Sequence, residues 1–263
     1  MTVGSGAGEA LSWAALAPDP SAPAHDTRNE LMREPIALPM VRPDLPVVAR
    51  PPHVPAKDFA YEYIKALVVD LVLPPGDIVT EMDIASVTGL SRTPVREAFL
   101  RLDAERLIQL LPRRGALVAP VTARQIRELS RTRLALELYA VRELHERRIP
   151  VADQLWPLVH RQRALLDEGA PYPEIIACDR EFHSTIVRAV GNTVMSELYA
   201  SMGDRQQRTG VAAFMAQPGR AEFAVDHHQL IAEALERDDL AAAEEMLREH
   251  LDRHNDELDR YLP

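Results

Sequence analysis

Phe59, Ala60, Tyr63, Ile64, Leu67, Val68 and Leu71 recur at helical spacing, which predicts an amphipathic helix. Pro74-Pro75-Gly76 stops it. Thr80 then supplies an N-cap with Asp83 three positions on, and Gly89 offers a left-handed stop about two turns later, so the second helix is short. Ser91 caps a third helix. Pro94 falls in its first turn, where the missing N–H costs nothing, and Val95, Ala98, Phe99 and Leu102 face inward as far as about Glu105. The period then shortens. Residues 108–111 and 116–119 read as strands around a Pro112-Arg113-Arg114-Gly115 turn. Two short helices joined through a glycine turn form a helix-turn-helix, and the hairpin after them makes it a winged one.

Beyond residue 120 only helical patterns remain. Thr122 and Gln125 open a long helix over 122–148, closed by Pro150. Leu155, Leu158, Val159, Leu165 and Leu166 mark the next, and Pro173 stands at the first position of another over 174–190, closed by Gly191-Asn192. A further helix is predicted over 193–213. A final antiparallel pair spans 220–236 and 240–261, turning at Arg237-Asp238-Asp239. The expected fold is mainly α: a winged helix-turn-helix domain over 53–121, then an all-α helical bundle over 122–263. Ten of the 21 prolines lie in residues 1–55, so residues 1–52 read as a proline-rich, poorly ordered arm. Met32 and Met40 leave its start open.

The 263 residues, 46% of them apolar, suffice for two cored domains. A single cysteine, Cys178, excludes a disulfide framework and suggests a reducing compartment. No apolar run reaches the roughly 18–20 residues of a membrane helix, and the first residues lack a basic start, so a cytoplasmic protein with no membrane partner is expected. The net charge of −10 argues against nucleic acid, but its distribution reverses that reading. Residues 91–114 carry six arginines against three acids, whereas the helical half is strongly acidic. A basic stripe on an acidic chain is the footprint of a nucleic-acid reader.

The start of the third helix would lie in a DNA major groove. There Arg92 and Arg96 can donate twice to guanine, Thr93 offers a hydroxyl and a methyl, and Ser91 with the helix N-terminus suits a phosphate. The same basic segment adds Arg101, Arg114 and Gly115 to the DNA-binding set, the last two at the wing tip. A helical hairpin with a solvated arginine face is the competing reading. It leaves the coincidence of capped helix, glycine turn, Arg-Thr-Pro-x-Arg start and Arg-Arg-Gly hairpin unexplained.

In the helical half, Asp179 and His183 lie four apart on one helix face. His228 and His250 are each 11 residues from Asp239, so they can sit side by side across the final helix pair. One carboxylate and three imidazoles in a bundle make a candidate site for a divalent metal ion (Zn²⁺, Ni²⁺ or Mn²⁺). Asp-x-x-x-His alone is more often a solvated pair, and His227 and His254 compete as ligands. Cys178 is turned about 100° from Asp179 and is left out as a core residue.

The run Ser91-Arg92-Thr93-Pro94-Val95-Arg96-Glu97-Ala98, followed by Leu102 and Pro112-Arg113-Arg114-Gly115-Ala116, resembles the GntR family of bacterial transcription regulators. The resemblance implies that Arg92, Thr93 and Arg96 face DNA and that Gly115 approaches the minor groove. Asp179-Arg180-Glu181-Phe182-His183, Gly191-Asn192, His228-Gln229-Leu230-Ile231 and Arg248-Glu249-His250-Leu251 resemble the FCD ligand-binding domain of the FadR-type subfamily. This implies metal ligation by Asp179, His183, His228 and His250, and a carboxylate effector facing Arg133, accompanied by Glu137. Two departures stand out. Arg106 occupies a position where the family usually has glycine, and His227 one where an acid commonly precedes the ligand histidine.

The resulting expectation is a homodimeric, ligand-responsive regulator and not an enzyme. Two reading heads would take half-sites of a double-stranded operator, and a small organic acid would bind at the metal and Arg133. Arg205 and Arg208 are further candidates for that pocket. One alternative keeps the DNA-binding head with a purely structural metal. Another is a metal-dependent hydrolase, against which stand the lack of an HExxH motif and of a general base beside the ligands.

Overall fold

The computed structural model describes residues 45–252 and residue 262. The expectations for residues 1–44 and for the end of the last helix, including His254, lie outside the described residues.

The reading head forms as its sequence pattern predicts. Helix α1 (Ala56–Val69) buries Phe59, Tyr63, Ile64, Leu67 and Val68. Helix α2 (Glu81–Thr88) is opened by a capping box. The Thr80 hydroxyl accepts from the Asp83 N–H at 3.2 Å, and Asp83 Oδ2 accepts from the Thr80 N–H at 2.8 Å. Gly89 ends α2 at φ 67°. Helix α3 (Arg92–Ala104) packs Val95, Ala98, Phe99 and Leu102 against α1. Its far end answers the question raised by Arg106. The Leu107 N–H reaches Leu102 O at 3.0 Å and the Arg106 N–H reaches Asp103 O at 2.9 Å, the Schellman pattern, with Arg106 at φ 61° where glycine is usual. The helix therefore stops at the family position, at a backbone cost of about 1–2 kcal/mol.

The wing strands β2 (Ile108–Leu111) and β3 (Gly115–Val118) pair antiparallel. A third strand, β1 (Ile78–Val79), pairs with β3, giving the sheet order β1-β3-β2. Two residues carry no readable period, so the pattern did not reveal it. β1 explains Gly115: at φ 104°, a Cβ there would lie 2.5 Å from Val79 O.

The ordered head also begins earlier than residue 53. Leu45 is 3% exposed within the same core, and the Tyr63 hydroxyl donates to Pro46 O at 2.6 Å. Around Pro46, Leu45 and Val48 dock on the head while Val47 stays exposed.

Seven helices follow: α4 (Ala123–Glu146), α5 (Ala152–Asp167), α6 (Tyr172–Ala189), α7 (Thr193–Ser201), α8 (Gly203–Ala216), α9 (Arg220–Glu236) and α10 (Leu240–Asp252). They pack around Ala140, Leu144, Leu155, Phe182, Ile186, Ile231 and Leu247. The single helix expected over 193–213 is two helices. The chain turns at Met202–Gly203, where a Cβ on Gly203 would lie 2.5 Å from the Arg180 guanidinium. Helix α8 also contacts the head. Asp204 pairs with Lys65 at 2.6 Å, Gln207 Nε2 donates to Asp70 at 2.9 Å, and Arg208 donates to Ala119 O.

Leu45→Ala should cost the head about 2–5 kcal/mol, read as a lower urea midpoint. A midpoint unchanged from wild type would show that the arm does not belong to the core.

Candidate nucleic-acid interface and candidate metal centre

Burial of one face of α3 leaves Ser91, Arg92, Thr93 and Arg96 exposed together on the other. The Ser91 hydroxyl makes no capping bond to the helix. Arg92 lies 3.7 Å from the Met82 sulfur. Arg101 departs from this set. At about 100° per residue it stands opposite Arg92. Its guanidinium lies 3.5 Å from the centre of the Tyr61 ring and 3.5 Å from Glu105, which itself accepts from the Tyr61 hydroxyl at 2.8 Å. Its aromatic and acidic neighbours hold it against α1. Leu100 is 55% exposed and shares the Arg96 face, a position an inward-facing apolar tally does not single out. Arg113 and Arg114 are exposed at the wing tip.

In the bundle, Asp179, His183, His228 and His250 come together, with one ligand atom from each lying within 4.8 Å of the others. The Nε2 atoms of His183 and His228 are 3.0 Å apart, those of His183 and His250 3.0 Å, and those of His228 and His250 3.3 Å. Asp179 Oδ1 lies 3.3 Å from His228 Nε2. Donors about 2.0–2.1 Å from a metal stand about 3.3–3.4 Å apart at tetrahedral positions and about 2.9–3.0 Å apart at adjacent octahedral ones. The imidazole spacings fit either, while Asp179 stands farther from the other two rings, 3.9 Å from His183 Nε2 and 4.0 Å from His250 Nε2.

The outer hydrogen bonds set the tautomers. His183 Nδ1 faces Glu137 Oε2 at 2.7 Å, an acceptor, so Nδ1 carries the proton. His228 Nδ1 faces Gln162 Oε1 at 2.5 Å, and Gln162 Nε2 donates to Ile175 O, so the same holds. Two Nε2 lone pairs therefore point at one another, an arrangement a shared cation relieves. Burial, reinforced by neighbouring positive charge, holds His228 and His250 well below the usual histidine range, as neutral imidazoles suited to ligation. His227 turns away from this centre. Its ring stacks 4.0 Å from Phe223 and its Nε2 lies 3.8 Å from Glu249.

Glu137 is fully buried. Burial opposes its charge, but His183 and Arg133 beside it outweigh that and hold it down to about 2. Tyr199 donates to it at 2.6 Å and Arg133 Nε at 3.0 Å. Gln162 and Tyr199 are supports that no sequence spacing indicated. Cys178 faces Leu158 O, outside the centre.

Beside the centre lies a cavity of about 60 Å³ bounded by Arg133, Asp179, Gln206, Arg220 and His250 among others. Arg133 Nη2 and Gln206 Nε2 are buried with no hydrogen-bond partner. Neither further candidate cation lies on the cavity wall. Arg205 is exposed on α8, and Arg208 is buried against the Ala119 carbonyl.

A winged helix-turn-helix with a basic reading face, carrying a helical bundle with an internal cavity, defines a DNA-binding regulator. Residues 56–118 match the bacterial regulatory proteins of the gntR family, and residues 128–253 match the FCD domain. The chain belongs to the GntR family of transcriptional regulators. It is 30% identical to an uncharacterized HTH-type transcriptional regulator in an unstable DNA locus of Streptomyces ambofaciens, over 76% of this chain and 84% of that one. It is 25% identical to the HTH-type transcriptional repressor RspR of Escherichia coli K12, over 76% and 87%. The solved structure of E. coli McbR/YncC shares the fold at a TM-score of 0.61 and 23% identity, covering 79% of this chain and 98% of that one. These relatives are regulators and repressors, and this chain is a transcription regulator rather than an enzyme. No helix among the described residues is long and apolar enough to cross a membrane.

Glu137→Gln should destabilise the chelator-treated protein by about 3–5 kcal/mol at pH 7, because it leaves Arg133 and His183 without their buried carboxylate. A folded value near 2 against an ordinary 4.5 means the carboxylate stabilises above pH 4.5 and ceases to as pH falls toward 2. The gap between wild type and variant, measured by urea melts, should therefore narrow with acid. A gap independent of pH would refute the assignment.

Proposed function

We propose that the chain acts as a homodimer whose two heads read half-sites of an operator, and whose bundle binds a divalent metal ion and a small carboxylate effector. In this reading the protein is cytoplasmic, where operator DNA lies. Arg92, Thr93 and Arg96 read bases, Ser91 meets a phosphate, and Arg114 and the wing around Gly115 follow the adjacent backbone. Arg101 is assigned to the packing of α3 on α1 instead. The observation that carries the bundle half is the set of three converging Nε2 atoms beside a cavity bordered by Arg133 and Gln206, each with a buried nitrogen that has no partner.

Asp179, His183, His228 and His250 would hold the ion, which would present positive charge to an anionic ligand. Imidazole suits Zn²⁺, Ni²⁺ and Mn²⁺, and the observed spacing favours none of them. Arg133, held by Glu137 and Tyr199, pairs with the effector carboxylate.

Helix α8 offers the route to the head. Gln206, Thr209 and Gly210 border the cavity, while Asp204, Gln207 and Arg208 grip α1 and the end of the wing. Arg180, the neighbour of Asp179, donates to Gln207 at 3.1 Å, and Gln207 donates to Asp70. A ligand that favours one position of α8 thereby favours one placement of the head.

In gel shifts with DNA upstream of the adjacent operon, Arg92→Ala and Arg96→Ala should each weaken binding by about 1–3 kcal/mol, whereas Arg101→Ala should retain wild-type affinity. Wild-type affinity in both of the first two variants would sink the reading-face assignment. Mass spectrometry should find close to one divalent ion per chain, lost in His228→Ala and in His250→Ala. Metal-free wild-type protein would remove the metal from the proposal and leave the DNA-binding half intact.

A further inference from the structure

Arg220, the first residue of α9, is half-buried on the cavity wall and hydrogen-bonds to Gln217, a neutral partner. No carboxylate pairs with it among the described ion pairs, and burial draws its guanidinium down to about 10, so it remains a cation at neutral pH. Among the described residues, Arg133, Asp179 and Arg220 are the charged ones bordering the cavity, and Glu137 stands directly behind Arg133 and His183. The two acids balance the two arginines. A divalent ion on Asp179 and the three imidazoles would therefore leave two positive charges around a largely buried space. Uncompensated buried charge is costly, and one carboxylate relieves only half of it.

The polar donors tell the same story. Arg133 borders the cavity from α4, and its Nη2 is buried without a partner. Gln206, 4% exposed, projects its Nε2 without a partner from α8, and Arg220 joins from α9. Buried donors without acceptors are rare in folded proteins; three cavity-lining residues carry a buried nitrogen without a partner, Arg133, Gln206 and the candidate ligand His250, and the first two are free to take acceptors from a ligand. At about 10–15 Å³ per water-sized group, the 60 Å³ of this partly open pocket take a short molecule.

We infer that the effector is a short dicarboxylate: one carboxylate meets Arg133 and the metal, and Arg220 with Gln206 reads the second. This rests on the metal and carboxylate reading above and specifies its ligand class. Arg220 and Gln206 then set selectivity for the second charge.

The test compares chain-length pairs on zinc-loaded protein by calorimetry and thermal shift: malonate against propionate, and succinate against butyrate. At least one dicarboxylate should bind tenfold or more tightly than its monocarboxylate counterpart. Arg220→Gln should abolish that preference while leaving metal content and monocarboxylate affinity at wild-type values. Equal affinities within both pairs in metal-loaded wild type would overturn the dicarboxylate assignment and leave the metal site standing. A preference that survives in a folded, metal-loaded Arg220→Gln would overturn the role of Arg220. Zinc failing to bind the wild type would overturn the metal reading and this inference together. The wild-type comparison stands even if the variant does not fold.

Discussion

A fully buried carboxylate constrains the bundle. Glu137 has no access to water, so its charge must be met within the protein. His183 on α6, Tyr199 on α7 and Arg133 one turn back on α4 meet it together. These bonds do more than satisfy an acid. They fix the helices' relative rotation, choose the His183 tautomer, and hold Arg133 so that one of its nitrogens is left for the cavity. Gln162 does the corresponding work for His228 from α5. Two of the four candidate ligands, His183 and His228, are positioned by outer hydrogen bonds, and this pre-organisation is what separates the cluster from a chance meeting of histidines.

Much of this was legible in the chain. Capping residues placed α2 and α4, glycine and proline ended the helices, and the count from Asp239 placed His228 beside His250. Choosing between His227 and His228 needed packing, because adjacent residues differ by about 100° of helix and only the assembled bundle shows which ring faces inward. Composition marks a basic segment without saying which side of a helix a side chain occupies, and Arg101 lies toward Tyr61 and Glu105 and not beside Arg92. The Tyr61 ring that captures it is 40 residues away in sequence. The two-residue β1 and the break at Met202–Gly203 left no period to read. Leu45 was masked by its prolines, which announce irregular backbone and are silent about burial.

The head and the bundle are joined by specific polar contacts as well as by chain continuity. Lys65 with Asp204, Asp70 with Gln207, and Ala119 with Arg208 all involve α8, and the small apolar cluster of Val121, Ile126, Ala212 and Ala213 fills the space beside them. Contacts of this kind are directional, so a modest shift of α8 breaks or makes whole hydrogen bonds instead of loosening a greasy interface by degrees.

The chain from Arg180 through Gln207 to Asp70 has a genetic consequence. None of its members touches the three imidazoles by a hydrogen bond, and none lies on the reading face. Gly203 belongs with them, since a Cβ there would displace the end of the Arg180 side chain. If the proposed effector acts through α8, substitutions here would separate sensing from reading: ligand would still bind, operator would still bind, and the two would no longer inform each other. Non-inducible and constitutive alleles of such a regulator would thus gather at a seam of four residues that touches neither of its proposed ligands directly.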